Sequence, residues 1–173
     1  MSTIIQKKIC MLGDFAVGKT SLVQRYVYNL FSASYMSTIG VNIFRKELNL
    51  SNGALVRLLI WDLAASEKFN GTRTSYLKGA AGALLVCDLT RPQTLQNLDK
   101  YYQRLREVSP QATVLILGNK SDLVLEETQT INQIVITASE YNIPYSITSA
   151  KKGNGVENAF INLVEGLTQV NHG

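Results

Sequence analysis

GDFAVGKT, running from Gly13 to Thr20, has a glycine, four residues, then Gly-Lys-Thr, and it sits between an apolar run ending at Leu12 and the amphipathic stretch SLVQRYVYNL. A loop of this pattern between a strand and a helix is built for phosphate. Its glycines let the backbone curl until successive N–H groups and the helix N-terminus face one anion. Lys19 adds positive charge at the terminal phosphates, and the Thr20 hydroxyl is placed to meet Mg²⁺. The pattern says nucleoside triphosphate and leaves the base open.

Working outward, short apolar runs alternate with amphipathic stretches. LVRLLIWD precedes a polar segment, ALLVCDL precedes TLQNLDKYYQRLREV, TVLILGN precedes INQIVITASEY, and IPYSIT precedes VENAFINLVEGL. Continuous β-branched and leucine-rich runs suit strands buried on both faces by crossover helices. VNIFRKELNL and LVRLLIWD flank Ser51-Asn52-Gly53, and Asn-Gly between such runs signals a hairpin. The expected fold is α/β: a P-loop NTPase with a doubly wound, mostly parallel six-stranded sheet, one antiparallel edge strand and helices on both faces. The stripe Leu95, Leu98, Tyr102 and Leu105 reads as core. In such a sheet the ligand lies beyond the carboxyl ends of the strands, so chemistry belongs in the loops after Leu12, Trp61, Val86, Leu117 and Ile147.

The whole chain, 1–173, reads as one domain, and 46% hydrophobic against 17% charged residues excludes disorder and a disulfide scaffold. A net charge of +4 raises the question of nucleic acid, but the basic pairs Lys7-Lys8, Arg45-Lys46 and Lys151-Lys152 are scattered and carry no base-reading signature. Nucleic-acid binding is therefore not expected. Cys10 and Cys87 fall inside apolar runs, which suits buried reduced thiols. No signal peptide, membrane span or lipidation motif is visible in this chain, so the expected location is the cytoplasm, with membrane association only through a partner or a tail absent from it.

NKSD, Asn119 to Asp122, closes the run TVLILG and would lie at the mouth of the sheet beside the phosphate loop. The Asp122 carboxylate can accept from both the ring N–H and the exocyclic amine of guanine, whereas adenine would leave that charge unpaired. Asn119 can tie this loop to the phosphate loop, and the methylene stem of Lys120 can cover one face of the base. TSAK, Thr148 to Lys151, offers the backbone N–H of Ala150 to the guanine carbonyl oxygen.

With these motifs in this order the chain resembles the Ras superfamily of small GTPases, and the Rab branch most closely. FSASYMSTIGVNIF resembles the Rab first switch, YLKGAAGALLVCDLT the following strand and TSAKKGNGVENAFINL the last loop and helix, so the likeness runs from about Lys8 to Leu167. The resemblance implies GTP or GDP with Mg²⁺. It implies nucleotide contacts from Asp14, Phe15, Ala16, Val17, Gly18, Lys19, Thr20 and Ser21, from Phe31, Tyr35, Thr38 and Ala65, and from Asn119, Lys120, Asp122, Ser149, Ala150 and Lys151. Phe31 would stack edgewise on guanine. Thr20, Thr38 and Asp62 would be the metal-side groups, and Lys19, Thr38, Ala65 and Ser66 the catalytic ones. Effectors would meet Ile39 to Phe44 together with Leu63, Phe69 and Tyr76. An exchange factor and a GTPase-activating protein are implied partners, and a monomer is expected.

The second switch departs from the family. WDTAGQE is the usual reading and this chain has WDLAASE, Trp61 to Glu67. Ala65 replaces the glycine whose N–H meets the γ-phosphate, and its Cβ narrows the backbone choices. Ser66 replaces the glutamine that orients the attacking water and is too short to reach equivalently. Phe15 stands where Ras has glycine, in the path of an activating finger of the kind worth about 10³ to 10⁵ in rate. Two readings follow: a switch with slow intrinsic hydrolysis, or a binding module that stays GTP-loaded. An adenine-specific kinase is a third, opposed by NKSD and by the lack of an Arg-rich lid.

Overall fold

The structure, a computed structural model, describes residues 4–34, 37–65, 74–126 and 128–169. In chain order these form β1 (Ile4–Leu12), α1 (Lys19–Tyr28), β2 (Val41–Asn49), β3 (Leu55–Leu63), β4 (Gly82–Asp88), α2 (Pro92–Gln96), α3 (Leu98–Val108), β5 (Thr113–Asn119), α4 (Gln129–Tyr141), β6 (Tyr145–Ile147) and α5 (Val156–Gln169). The strands lie side by side as β2-β3-β1-β4-β5-β6. Only β2 runs against its neighbour; the pairs β3/β1, β1/β4, β4/β5 and β5/β6 are parallel. The hairpin closes where Asn52-Gly53 predicts, with Gly53 N–H donating to Leu50 O and Ala54 N–H to Asn52 Oδ1.

Alternation along each strand sorts side chains onto two faces. Ile9, Met11, Leu84, Val86, Leu115 and Leu117 pack under α1 and α5, while Cys10, Leu12, Ala83, Leu85, Val114 and Ile116 pack under α2, α3 and α4. Both faces are covered, so all seven residues of β4 are buried. On the first face Tyr26 of α1 and Phe160 of α5 stack with ring centroids 4.0 Å apart, a contact worth about 1 kcal/mol beyond its buried area. Cys10 and Cys87 are buried free thiols.

The stripe expected as core is core at Leu95, Leu98 and Leu105, while Tyr102 is only half-buried. Its neighbour Tyr101 is the buried tyrosine, because the helix restarts at Leu98 and turns that ring inward. β1 lies between β3 and β4, and the connection out of β1 leads to the β2–β3 side while the one out of β3 crosses to β4, so a crevice opens at the carboxyl end of β1. The phosphate loop begins there.

Candidate functional site

Every carbonyl from Gly13 to Gly18 accepts a hydrogen bond. Lys19 Nζ donates to Gly13 O and Asp14 O, both at 2.9 Å. Arg91 Nη2 takes Phe15 O at 2.8 Å, Lys120 Nζ takes Ala16 O at 2.8 Å and Asn119 Nδ2 takes Val17 O at 3.0 Å. Gly18 O receives Leu22 N–H at 2.9 Å as the first helical bond of α1. In a trans peptide the C=O and the following N–H point opposite ways, so carbonyls held on the outside aim amides toward the inside. Glycine is required where the loop is tightest. A Cβ on Gly18, at φ 101°, would meet Asn119 Nδ2 at 2.3 Å, and one on Gly13, at φ 146°, would meet Val86 O at 2.2 Å. Burial lowers the Lys19 ammonium to about 8, with the Asp62 and Asp14 charges opposing that fall. An anion in the loop would restore the charged form.

Beside Lys19, three oxygen groups from three elements meet. Thr20 Oγ1 donates to Asp62 Oδ2 and lies 2.8 Å from Thr38 Oγ1, and Thr38 Oγ1 lies 3.4 Å from the same carboxylate oxygen. Asp62 is fully buried at the end of β3, and its Oδ1 has no hydrogen-bond partner among the described residues. Burial raises its pKa, against the pull of Thr20, Lys19 and Thr38. A buried carboxylate oxygen without a donor, next to two hydroxyls, suits a hard cation. One carboxylate and hydroxyls, with phosphate and water completing the shell, is the manner of Mg²⁺ rather than of a closed protein cage. Phe15, Ala16, Gly18, Lys19, Thr20, Thr38, Leu63, Ala64 and Ala65 line one cleft around this point.

At the far end of the crevice Asn119 joins both loops. Its Nδ2 holds the phosphate loop, and its Oδ1 accepts from Thr148 Oγ1 and from Ala150 N–H, each at 3.2 Å. The Ala150 amide is therefore engaged at long range and would share its hydrogen with a guanine oxygen. Ser149 Oγ donates to Asp122 Oδ1 at 2.6 Å, which fixes that carboxylate and leaves Oδ2 for a ligand. Lys120 adopts φ 68° as its chain crosses the phosphate loop. From α1, Arg25 reaches across with Nε on Ala150 O at 2.8 Å, Nη2 on Lys151 O at 2.6 Å and Nη1 on Asn29 Oδ1 at 3.1 Å.

Sequence reasoning missed Arg25, Asp88, Arg91, Asn97 and Tyr101, all of which hold these loops. It assigned Asp14 to the nucleotide, yet the side chain points away: Asn97 Nδ2 donates to it at 2.6 Å, Tyr101 OH at 2.9 Å, and Lys100 Nζ lies 3.3 Å off. Only the Asp14 backbone faces Lys19. Ser21 lies half-buried in the first turn of α1. Phe31 is exposed. Tyr35, Ser66 and Phe69 lie outside the described residues.

On the expected effector surface Ile39 is 89% exposed and Ile43 54%. Tyr76 is half-buried and tilts against Trp61 at 6.1 Å between ring centroids. Leu63 is a correction: it is 7% exposed at the end of β3, where it packs into the second core, and so offers little surface to a partner.

A doubly wound sheet with this loop at its switch point defines the class, a P-loop protein of Ras-like GTPase architecture. Comparison agrees. The sequence model of the Ras family matches residues 8–169. The Ras-related protein RABA1c of Arabidopsis thaliana is 37% identical over 169 residues, spanning 95% of this chain and 75% of that protein. Rab-11B of Dictyostelium discoideum is 40% identical over 158 residues, 90% of this chain and 71% of the relative, and SEC4 of Saccharomyces cerevisiae is 36% identical over 161, with 91% and 73% covered. The chain belongs to the Ras superfamily of small GTPases, on its Rab side. No helix among the described residues is long and apolar enough to cross a membrane.

Proposed function

We propose that this chain is a guanine-nucleotide switch: one G domain over 1–173 that binds GTP and GDP with Mg²⁺, hydrolyses GTP slowly, and offers its GTP-bound first-switch surface to effector proteins. The observation that carries this reading is the phosphate loop, whose carbonyls at Phe15, Ala16 and Val17 are held by Arg91, Lys120 and Asn119 from outside the loop, leaving the amides that follow them for an anion. Bound there, the metal supplies charge against the phosphate oxygens. Thr20, Thr38 and Asp62 are the groups that would hold it. Lys19 would place its ammonium on the terminal phosphates, and Asp122, steadied by Ser149, would read the guanine edge. Because the Thr38 hydroxyl reaches Thr20 and Asp62, closing of the first switch is tied to the metal side of the site.

Slow turnover follows from the residues that face the reacting end. Ala65 lines the cleft with Phe15, and Phe15 is 55% exposed at its rim, where a trans-acting side chain would have to enter. Ser66 offers no long amide to orient water. An exchange factor would set the rate of nucleotide release, and an activating protein that brings its own glutamine would be the route to faster hydrolysis. The expected location is the cytoplasm.

The test is the nucleotide released on denaturing freshly purified protein, separated by anion exchange and followed by single-turnover phosphate release. GDP, with release of phosphate above the uncatalysed rate, supports the switch. Retained GTP with no release above that rate favours the second reading, a GTP-loaded binding module, which the placing of Phe15 and Ala65 on the cleft supports. No bound guanine nucleotide would overturn both.

A further inference from the structure

Asp88 is a buried carboxylate, 1% exposed at the end of β4, that would touch neither base nor metal in the reading above. Its oxygens are fully engaged. Oδ1 accepts from Thr90 N–H at 2.8 Å and from Thr90 Oγ1 at 2.6 Å, and Oδ2 faces Arg91 Nε at 3.0 Å and Lys120 Nζ at 2.7 Å. Burial alone would raise its pKa; Lys120, Thr90 and Arg91 reverse that and hold it below the usual carboxylate range. Both cations continue past it to the phosphate loop, Arg91 to Phe15 O and Lys120 to Ala16 O, each at 2.8 Å.

We propose that Asp88 and Arg91 are positioning residues of the phosphate loop, one buried carboxylate anchoring two cations that hold consecutive peptide planes so that the amides of Ala16 and Val17 aim at the outer phosphates. Arg91 holds the plane between Phe15 and Ala16, and Lys120 the plane between Ala16 and Val17. No peptide bond among the described residues is cis, so each carbonyl held outward turns the next N–H inward. Arginine suits the task, since its planar fork can serve Asp88 and Phe15 O at once from different nitrogens. The turn that carries it is fixed independently: Thr94 Oγ1 accepts from Asp88 N–H at 2.9 Å, and Thr94 N–H donates to Arg91 O at 2.9 Å. The inference rests on the guanine-nucleotide reading and adds to it which residues set how long the phosphates are held.

The experiment is release of a fluorescent GDP analogue from the full chain, with affinities for GDP, GMP and IDP. Arg91→Ala should release GDP about tenfold faster, the loss of roughly one charge-assisted hydrogen bond. GMP affinity should change less than twofold, and the preference for GDP over IDP should stay, because the base loops are untouched. Arg91→Lys should recover part of the loss. Asp88→Asn should be at least as severe, and adding Arg91→Ala to it should cost little more, since both act on one anchor. Should Asp88→Asn fail to fold, the partly exposed Arg91 still decides the matter. Release from Arg91→Ala within twofold of the parent, or equal proportional losses for GMP and GDP, would overturn the inference while leaving the guanine reading intact. A parent protein that binds no guanine nucleotide sinks both.

Discussion

The loops that would hold base and phosphates and the segments that would sense the γ-phosphate are built by opposite means. In the loops around base and phosphates, Asn119, Lys120, Arg25, Arg91 and Ser149 all donate to loop carbonyls or to the carboxylates Asp88 and Asp122. On the switch side, Thr38 is the one described residue of 37–40 whose side chain bonds into the site, and Ile39 beside it is almost fully exposed. Recognition of one base needs donors and acceptors fixed before the ligand arrives, because their worth comes from pre-paid orientation. A surface that reports the ligand to another protein must be held by the ligand rather than by the fold, so it has few contacts of its own.

The largest effect expected from breaking this comparison is on the fixed side. Asp122→Asn would set an amide against the guanine donors while Ser149 keeps the side chain in place, and GDP affinity should fall about a thousandfold or more. Titration with labelled GDP checks it. A loss under tenfold would mean that the base is not read at Asp122 and that the well-bonded end of the crevice is merely structural.

Next in size is a repair on the switch side. Ala65→Gly with Ser66→Gln returns the flexible backbone and the long amide, and single-turnover hydrolysis should rise about tenfold or more, with GDP affinity within twofold of the parent. That pairing sharpens the contrast: the same two substitutions should move rate and leave binding alone. If affinity moves and rate does not, the second switch belongs to the fixed half.

How much of this was legible in the sequence follows from the range of each interaction. Strands and helices are local patterns, so the apolar runs, the Asn-Gly hairpin and the single antiparallel edge can all be read from neighbours. Lys19, Thr20, Asn119 and Asp122 stand in motifs whose spacing is itself the signal. Arg25 and Arg91 do not: Arg25 meets Ala150, 125 residues on, and Arg91 meets Phe15, 76 residues back. Lone arginines on a helix and a turn look like solvated surface until the fold closes. Leu63 misled for the opposite reason, since an apolar residue near a switch looks exposed when only the family pattern is consulted, yet it breaks the alternation of β3 and packs into the second core.

Asp14 bears on both halves, because its carboxylate ties the phosphate loop to α3 while it and its neighbour Phe15 line a pocket with Ala65 of the second switch. Burial would raise its pKa, but the hydrogen bonds from Asn97 and Tyr101 and the Lys100 charge outweigh that and hold it below the normal range. A carboxylate depressed in the folded state contributes stability that is present above its unfolded pKa of about 3.9 and disappears as pH falls through the folded value. Asp14→Asn puts an amide where two donors converge, and should cost about 1–2 kcal/mol in urea unfolding at pH 7. The gap between parent and variant should shrink as pH falls below about 4, where the parent loses the same charge. A gap that stays constant down to pH 3 would show that packing rather than charge ties the loop to α3. The fixed half would then owe its rigidity to shape, and its electrostatic account would have to rest on Asp88 alone.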